Sequence, residues 1–346
     1  MVKNSKIIVG ISCGDINGIG LEVILNTFSD KRMLDFCTPV IFASLQTVNF
    51  YKKIINNHVP LNGISSLDKV ASNKVNVFNC WNEEVKIELG KNTKEGGVFA
   101  SKSLSSCVDA LKNNSIDFLL TAPIHKETIQ SEEFKFPGHT EFLEHNLEGE
   151  SLMILMQENL RIGLITGHIP VSEVAQSINS EIITKKVDIM HTSLIQDFNI
   201  NKPKIAVLGL NPHSGDNGVI GKEEIEIIQP TIEEIQKQGK LVYGPFSADG
   251  FFGSKTYKQF DGVLAMYHDQ GLAPFKSLSF GKGVNFTAGL NKIRTSPDHG
   301  TAFEIAGKNK ANIDSFKEAL FSGIEISKNR SEHIKLTQNS LRSKKQ

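Results

Sequence analysis

Three histidines carry the first chemical signal. His168 stands in Thr166-Gly167-His168-Ile169-Pro170, His213 in Asn211-Pro212-His213-Ser214-Gly215, and His268 in Tyr267-His268-Asp269-Gln270-Gly271. Each follows an apolar run (Leu160–Thr166, Lys204–Leu210 and Gly262–Met266) and precedes turn-forming residues. Each is therefore expected at the carboxyl end of a buried strand, the edge on which open α/β sheets build ligand sites. A single histidine in such a place is ordinarily a hydrogen-bonded loop or core residue. Three in the same context point to a shared site, because three neutral imidazoles suit a divalent transition metal with positions left for water or substrate. No two of them share a helical turn, so no self-sufficient metal motif of the HExxH kind is present.

A second group could hold an anion. Lys276, Asn285 and Arg294 follow the third histidine in the sequence. Lysine offers a mobile point charge and arginine a planar fork that grips phosphate or carboxylate in two places. Asn285 follows Gly281-Lys282-Gly283-Val284, which can bring backbone amides close to a ligand. In Gly138-His139-Thr140-Glu141, His139 and Thr140 could donate to the same anion, or Thr140 could cap a helix running through Leu143 and Leu147. Asp15, Asp249, Asp269 and Asp298 fall in turn-rich loops, where any could orient a metal-bound histidine or meet a polar ligand. The loop Gly14-Asp15-Ile16-Asn17-Gly18-Ile19-Gly20 sits where a nucleotide loop would. It fails the dinucleotide fingerprint, with Val23 where the third glycine belongs, and no GK[ST] follows. A tight strand-to-helix turn is expected there.

The elements that must position these groups read as a βαβ-rich, mostly parallel sheet, an α/β fold. Strands are expected over Lys6–Ile11, Pro39–Ala43, Phe118–Thr121, Leu160–Thr166, Lys204–Gly209 and Gly262–Met266. A helix over Ser180–Phe198 would place Ile183, Val187, Met190, Leu194 and Phe198 on one stripe, with Ser180 as N-cap. A second, over Lys222–Gln238, would bury Ile225, Ile228, Ile232 and Ile235, kink at Pro230 and stop at Gly239. From Arg330 onward the tail is polar, carries Arg342, Lys344 and Lys345, and is expected to fray. No linker marks a boundary. Two lobes are expected, 1–125 plus 300–346 and 126–299, the second carrying most metal and substrate residues.

Composition narrows the function classes. The 346 residues balance 38 Lys plus Arg against 38 Asp plus Glu, and 39% are hydrophobic. That supports a real core and argues against a protein coating nucleic acid or a membrane surface, which needs a broad cationic face. No apolar stretch is long enough to span a bilayer. The N-terminal apolar run meets Ser12, Cys13, Gly14 and Asp15 in place of a cleavage site and reads as a first buried strand. Cys13, Cys37, Cys80 and Cys107 form no CxxC pair, so neither a disulfide framework nor a thiolate zinc site is indicated. A cytoplasmic protein is expected.

Taken together, the segments resemble the 4-hydroxythreonine-4-phosphate dehydrogenase family of pyridoxal phosphate biosynthesis. The resemblance rests on Gly138-His139-Thr140-Glu141, the three histidine segments, Thr121-Ala122-Pro123-Ile124-His125-Lys126 and Arg294-Thr295-Ser296-Pro297-Asp298-His299-Gly300-Thr301-Ala302, and extends to about Gly307. It implies an isocitrate/isopropylmalate-dehydrogenase-like two-lobed fold with a cleft between the lobes, and a homodimer with its active site at the interface. His168, His213 and His268 are implied as metal ligands, and His139, Thr140, Lys276, Asn285 and Arg294 as substrate contacts. The implied cofactors are a divalent metal (zinc, magnesium or cobalt) and NAD, or NADP, which that fold binds without the glycine fingerprint. The implied reaction oxidises a phosphorylated hydroxy-amino acid, 4-phosphooxy-L-threonine, and decarboxylates the β-keto acid to 3-amino-2-oxopropyl phosphate. The base is left open among a loop aspartate, water and Lys126. The opening loop and the Ala273-Pro274-Phe275 spacer depart from the family pattern without touching an implied site residue. Rival readings are a paralogous dehydrogenase of 4-phospho-D-threonate or 4-phospho-D-erythronate, a zinc hydrolase using the same histidines, and a non-catalytic metal- or sugar-phosphate-binding protein.

Overall fold

The computed structural model describes residues 6–338 apart from residue 133. Arg342, Lys344 and Lys345 lie outside the described residues. The chain forms two units, 1–149 with 281–324 and 150–280 with 325–346.

In the first unit, seven strands run in the order β3-β4-β2-β1-β5-β12-β11. They are β1 (Ile7–Ser12), β2 (Cys37–Ala43), β3 (Leu61–Ile64), β4 (Val75–Asn79), β5 (Phe118–Thr121), β11 (Val284–Leu290) and β12 (Arg294–Pro297). All neighbours pair parallel except the β11–β12 hairpin. β2 and β5 are buried along their whole length. Such continuous apolar runs are what strands covered on both faces require. Because β12 pairs with β5, residues 284–297 join the first unit; the boundaries fall at 149/150 and 280/281 in place of the expected 125/126 and 299/300, and a third at 324/325 puts the residues from Glu325 onward in the second unit and not in the first as expected.

The second unit orders its strands β6-β7-β10-β8-β9, from β6 (Gly149–Gln157), β7 (Leu160–Leu164), β8 (Lys204–Leu208), β9 (Leu241–Phe246) and β10 (Gly262–Ala265). β7, β10, β8 and β9 are parallel, and β6 pairs antiparallel with β7. The α/β class expected from the sequence is borne out.

The Ser180–Gln196 helix buries Ile183, Val187, Met190 and Leu194 as the spacing requires, each burial stabilising by about 1.5–3 kcal/mol. Its N-cap is Asn179, whose side chain accepts from the Ile182 N–H, so Ser180 is the first helical residue and not the cap. Pro230 sits at the start of the Gln229–Lys237 helix, preceded by a π-turn over Glu224–Ile228. That wider turn shifts the apolar stripe: Ile228, Ile232 and Ile235 are buried, but Ile225, expected beside them, is 51% exposed. Gly239 closes the helix with φ +87°.

Over residues 330–338 the chain is helical and not frayed as expected; the rest of the tail lies outside the described residues. A helix runs from Asp314 to Gln338. Arg330 within it is buried, gripping Asp197 through Nε–Oδ1 at 2.7 Å and Nη2–Oδ2 at 3.0 Å. Among the described residues no helix is long and apolar enough to cross a membrane. The cysteines are free, and burial pushes the Cys13 and Cys37 thiols up to about 12.

Candidate active site

In the second unit the three histidine-bearing strands are adjacent and parallel, so their carboxyl ends share one edge. His168 follows β7 on an exposed turn, and His268 is the first residue of the His268–Ser279 helix after β10. Their rings lie 5.4 Å apart between centroids. They line a cavity of about 260 Å³ with Tyr267 and Asp269. The Asp269 carboxylate meets His268 Nδ1 at 2.7 Å. Such a contact fixes the ring's tautomer and leaves Nε2 for another partner, the usual arrangement behind a metal-ligating histidine. Of the loop aspartates, Asp269 thus stands in the orienting position.

His213 follows β8 on a segment of unusual backbone. His213, Ser214, Gly215, Asp216 and Asn217 all have positive φ, between 43° and 79°. Left-handed conformation costs roughly 1–2 kcal/mol for a residue with a β-carbon, and only Gly215 is exempt. Such a run persists only where its surroundings over-determine it. The Asp249 carboxyl, hydrogen-bonded by Ser247 and the Gly250 backbone, is held below its usual range, with a further contribution from the charge of His213. Among the described residues no three His, Cys, Asp or Glu side chains are gathered as a ready-made metal site. The structure brings His168 and His268 together and leaves His213 on its own loop. Two imidazoles beside a cavity, one backed by a carboxylate, fit a divalent ion; the third donor is not gathered with them. Lys276 is exposed in the last turn of the His268–Ser279 helix, about 12 Å along the axis from His268.

The first unit holds the remaining residues. Arg294 opens β12 and is 3% exposed. Its guanidinium donates to Thr121 Oγ1 from Nε at 3.0 Å and Nη2 at 2.7 Å, and to Thr287 Oγ1 from Nη1 at 3.3 Å. Burial of this cation among hydroxyls pushes its pKa down to about 9, against the opposing charge of Glu141. The hairpin register pairs Thr287 with Arg294 and Asn285 with Ser296, which sets Asn285 and Arg294 on one face. Asn285 Oδ1 is sealed from solvent without a hydrogen-bond partner.

His139 is the first residue of the His139–Asn146 helix, whose N-cap is Gly138. Thr140 lies inside the first turn, so the alternative in which Thr140 caps the helix does not hold. The His139 side chain is half-buried, yet its Nε2 is sealed and unpartnered. Burial, then the charges of Arg294 and Lys126, hold the imidazole well below its usual pKa. Asp15, 1% exposed at the end of β1, has one carboxylate oxygen taken by the Asn17 N–H at 2.9 Å and the other unpartnered. Burial raises its carboxyl pKa, opposed by the Asn17 N–H and the charge of His125. Buried polar atoms are seldom left unpaired. His139, at a helix start, and Asn285, near the start of β11, each leave one so.

Sequence reasoning missed Thr121 and Thr287, which hold Arg294, and it missed Glu224 and Gln270 beside the histidine loops. Thr121 and Gln270 lie inside the segments that carried the resemblance; Thr287 and Glu224 gave no local signal.

Comparison with known proteins identifies the family. A profile of the family described as pyridoxal phosphate biosynthetic protein PdxA matches residues 35–322. A 4-hydroxythreonine-4-phosphate dehydrogenase of Bacteroides thetaiotaomicron is 49% identical over 331 residues, 95% of this chain and 91% of the relative. Another, from Sulfurihydrogenibium sp., is 39% identical, covering 90% of this chain and 96% of the relative. The crystal structure of 4-hydroxythreonine-4-phosphate dehydrogenase from Klebsiella pneumoniae superposes with a TM-score of 0.81 at 31% identity, covering 94% of this chain and 99% of that one. The chain therefore belongs to the PdxA family of 4-hydroxythreonine-4-phosphate dehydrogenases and is an oxidoreductase of that type.

Proposed function

We propose that the protein catalyses the metal-dependent, NAD-linked oxidation and β-decarboxylation of 4-phosphooxy-L-threonine to 3-amino-2-oxopropyl phosphate, as a homodimer in the cytoplasm. The observation that carries this reading is the placement of His168, His213 and His268 at the carboxyl ends of three adjacent parallel strands, with two of the rings 5.4 Å apart.

His168, His213 and His268 would hold the divalent metal, His213 completing the set from its own or a second protomer. A bound divalent ion would supply Lewis acidity at the substrate's oxygen, and a bound NAD would supply the hydride acceptor. The chain's own residues bind and orient. Arg294 offers a buried fork that donates to the Thr121 and Thr287 hydroxyls with the Glu141 charge acting on it, and a phosphate or carboxylate would accept from it in a charge-assisted pair. His139, held neutral, can donate or accept at Nε2, and Asn285 Oδ1, sealed and unpartnered, could accept from a substrate hydroxyl or ammonium. Thr140 and Lys276 would add a hydroxyl and a mobile ammonium. Orientation of this kind supplies roughly 7–11 kcal/mol of a barrier. Asp269 would keep His268 in the tautomer a ligand needs.

The test is a panel of phosphorylated hydroxy acids with NAD and a divalent metal, following nicotinamide reduction and carbon dioxide release together. Turnover of 4-phosphooxy-L-threonine with both signals is expected. Preference for 4-phospho-D-threonate or 4-phospho-D-erythronate would reassign the substrate, and hydrolysis without NAD would overturn the reading.

A further inference from the structure

The second unit contains a hydrogen-bonded chain, made by residues that are not themselves histidines, linking the strand ends that carry His168, His268 and His213. At β7, Thr166 donates from Oγ1 to the Met266 carbonyl at 2.7 Å, and its backbone N–H reaches the same oxygen at 3.2 Å. Met266, which precedes Tyr267 and His268, donates its N–H to Gln270 Oε1 at 2.7 Å. The other end of that amide, Nε2, donates to the Gly209 carbonyl at 2.7 Å, at the exit of β8. Each strand end is thereby pinned to the next beyond the last ladder pairs, Ala265 with Leu164 and Leu264 with Val207.

Beyond Gly209, the loop wraps a carboxylate. Glu224 is 2% exposed. Its Oε1 accepts from the backbone N–H groups of Leu210 and Asn211, each at 2.7 Å, and its Oε2 accepts from Asn211 Nδ2 at 2.9 Å. The fit is close: a β-carbon on Gly209 would stand 3.1 Å from Oε1, and one on Gly215 would stand 2.7 Å from Oε2. Glutamate is almost never this buried without partners. Here the partners are the amides that lead into the left-handed segment bearing His213.

We propose that Gln270 and Glu224 are positioning residues for the metal centre. Gln270 fixes the His213-bearing strand end against the His268-bearing one, and Glu224 holds the backbone conformation from which His213 projects. The inference rests on the reading that these histidines hold a divalent metal. Neither residue supplies a ligand; each sets where an imidazole can be offered, and so sets affinity and ligand geometry.

The test is cobalt(II) titration of the full-length protein, followed by calorimetry and by the visible ligand-field spectrum, at a temperature where circular dichroism shows every variant folded. Gln270→Leu removes both amide contacts at similar volume. Glu224→Gln keeps an acceptor for the two backbone amides but loses the one that serves Asn211 Nδ2, and it carries the test should Glu224→Leu not fold. Cobalt affinity is expected to fall roughly 10-fold or more in Gln270→Leu, with an altered spectrum, and less in Glu224→Gln than in Glu224→Leu. His213→Ala is the control. If the unaltered protein binds no cobalt, or His213→Ala binds it equally well, the metal reading itself fails and takes the positioning role with it. If His213→Ala weakens binding while Gln270→Leu and Glu224→Gln retain the original affinity and spectrum, the positioning role alone is overturned.

Discussion

Replacing Arg294 with methionine separates anion recognition from folding. The guanidinium is 3% exposed and donates to Thr121 and Thr287 hydroxyls at 2.7–3.3 Å. A cation so buried raises the free energy of the ligand-free protein, which is why its pKa is pushed down to about 9. A bound phosphate would complete a charge-assisted pair, and truncating one partner of a buried pair costs about 2–5 kcal/mol. That corresponds to a loss of roughly 30-fold to several thousand-fold in affinity. Without ligand the balance differs. Three hydrogen bonds of about 0.5–1.5 kcal/mol net each are lost together with the favourable charge of Glu141, and the desolvation cost of the guanidinium goes with them, so the unliganded melting temperature should move less than the phosphate-dependent rise. Thermal unfolding with inorganic phosphate reads the difference. Phosphate at one hundred times its Kd raises stability by about 2.7 kcal/mol, whereas a 30-fold weaker variant at that concentration gains about 0.9 kcal/mol or less. An Arg294→Met protein that keeps the full phosphate-dependent rise would refute the anchoring argument.

Three further outcomes follow from particular contacts. Asp269→Asn removes the carboxylate from His268 Nδ1 and should weaken divalent metal binding roughly 10- to 100-fold; calorimetry showing unchanged affinity would remove Asp269 from its orienting role. His139 should titrate below the ordinary histidine value of 6.5 in the free protein. Its contribution to stability is then lost as pH falls below about 6.5, because the unfolded chain takes up a proton that the native chain refuses. Ring NMR resonances that titrate at or above the ordinary value would contradict this, and added phosphate should move the midpoint upward. Arg330→Met strands the buried Asp197 carboxylate and should cost about 3–5 kcal/mol in urea unfolding, with much of that recovered in the Arg330→Met/Asp197→Leu double variant.

The parts of the fold that were legible in the sequence are those written in local pattern. The strands ending near His168, His213 and His268 announced themselves as apolar runs stopped by turn residues, and all three lie on one edge. The stripe Ile183, Val187, Met190 and Leu194 is buried because its spacing keeps to one helical face. What escaped depends on long-range pairing. β12 returns to pair with β5, and nothing local to residues 284–297 marks that partner. Ile225 was misplaced because a π-turn changes the period within one segment. Arg330 reads as a solvated tail charge until Asp197 is brought beside it. At the site, residue types were legible and environments were not. Arg294 reads as an ordinary loop cation, and only the fold shows it buried against the Thr121 and Thr287 hydroxyls. The left-handed run through His213 carries a glycine only at Gly215, too little to announce five such residues.

The most direct measurement is X-ray absorption spectroscopy of the zinc- or cobalt-loaded protein, which counts the imidazole nitrogens around the ion. Three are expected at about 2.0–2.1 Å for zinc, with one lost in each of the His168→Ala, His213→Ala and His268→Ala variants. A metal shell built from other donors, or one that survives all three substitutions intact, contradicts the account.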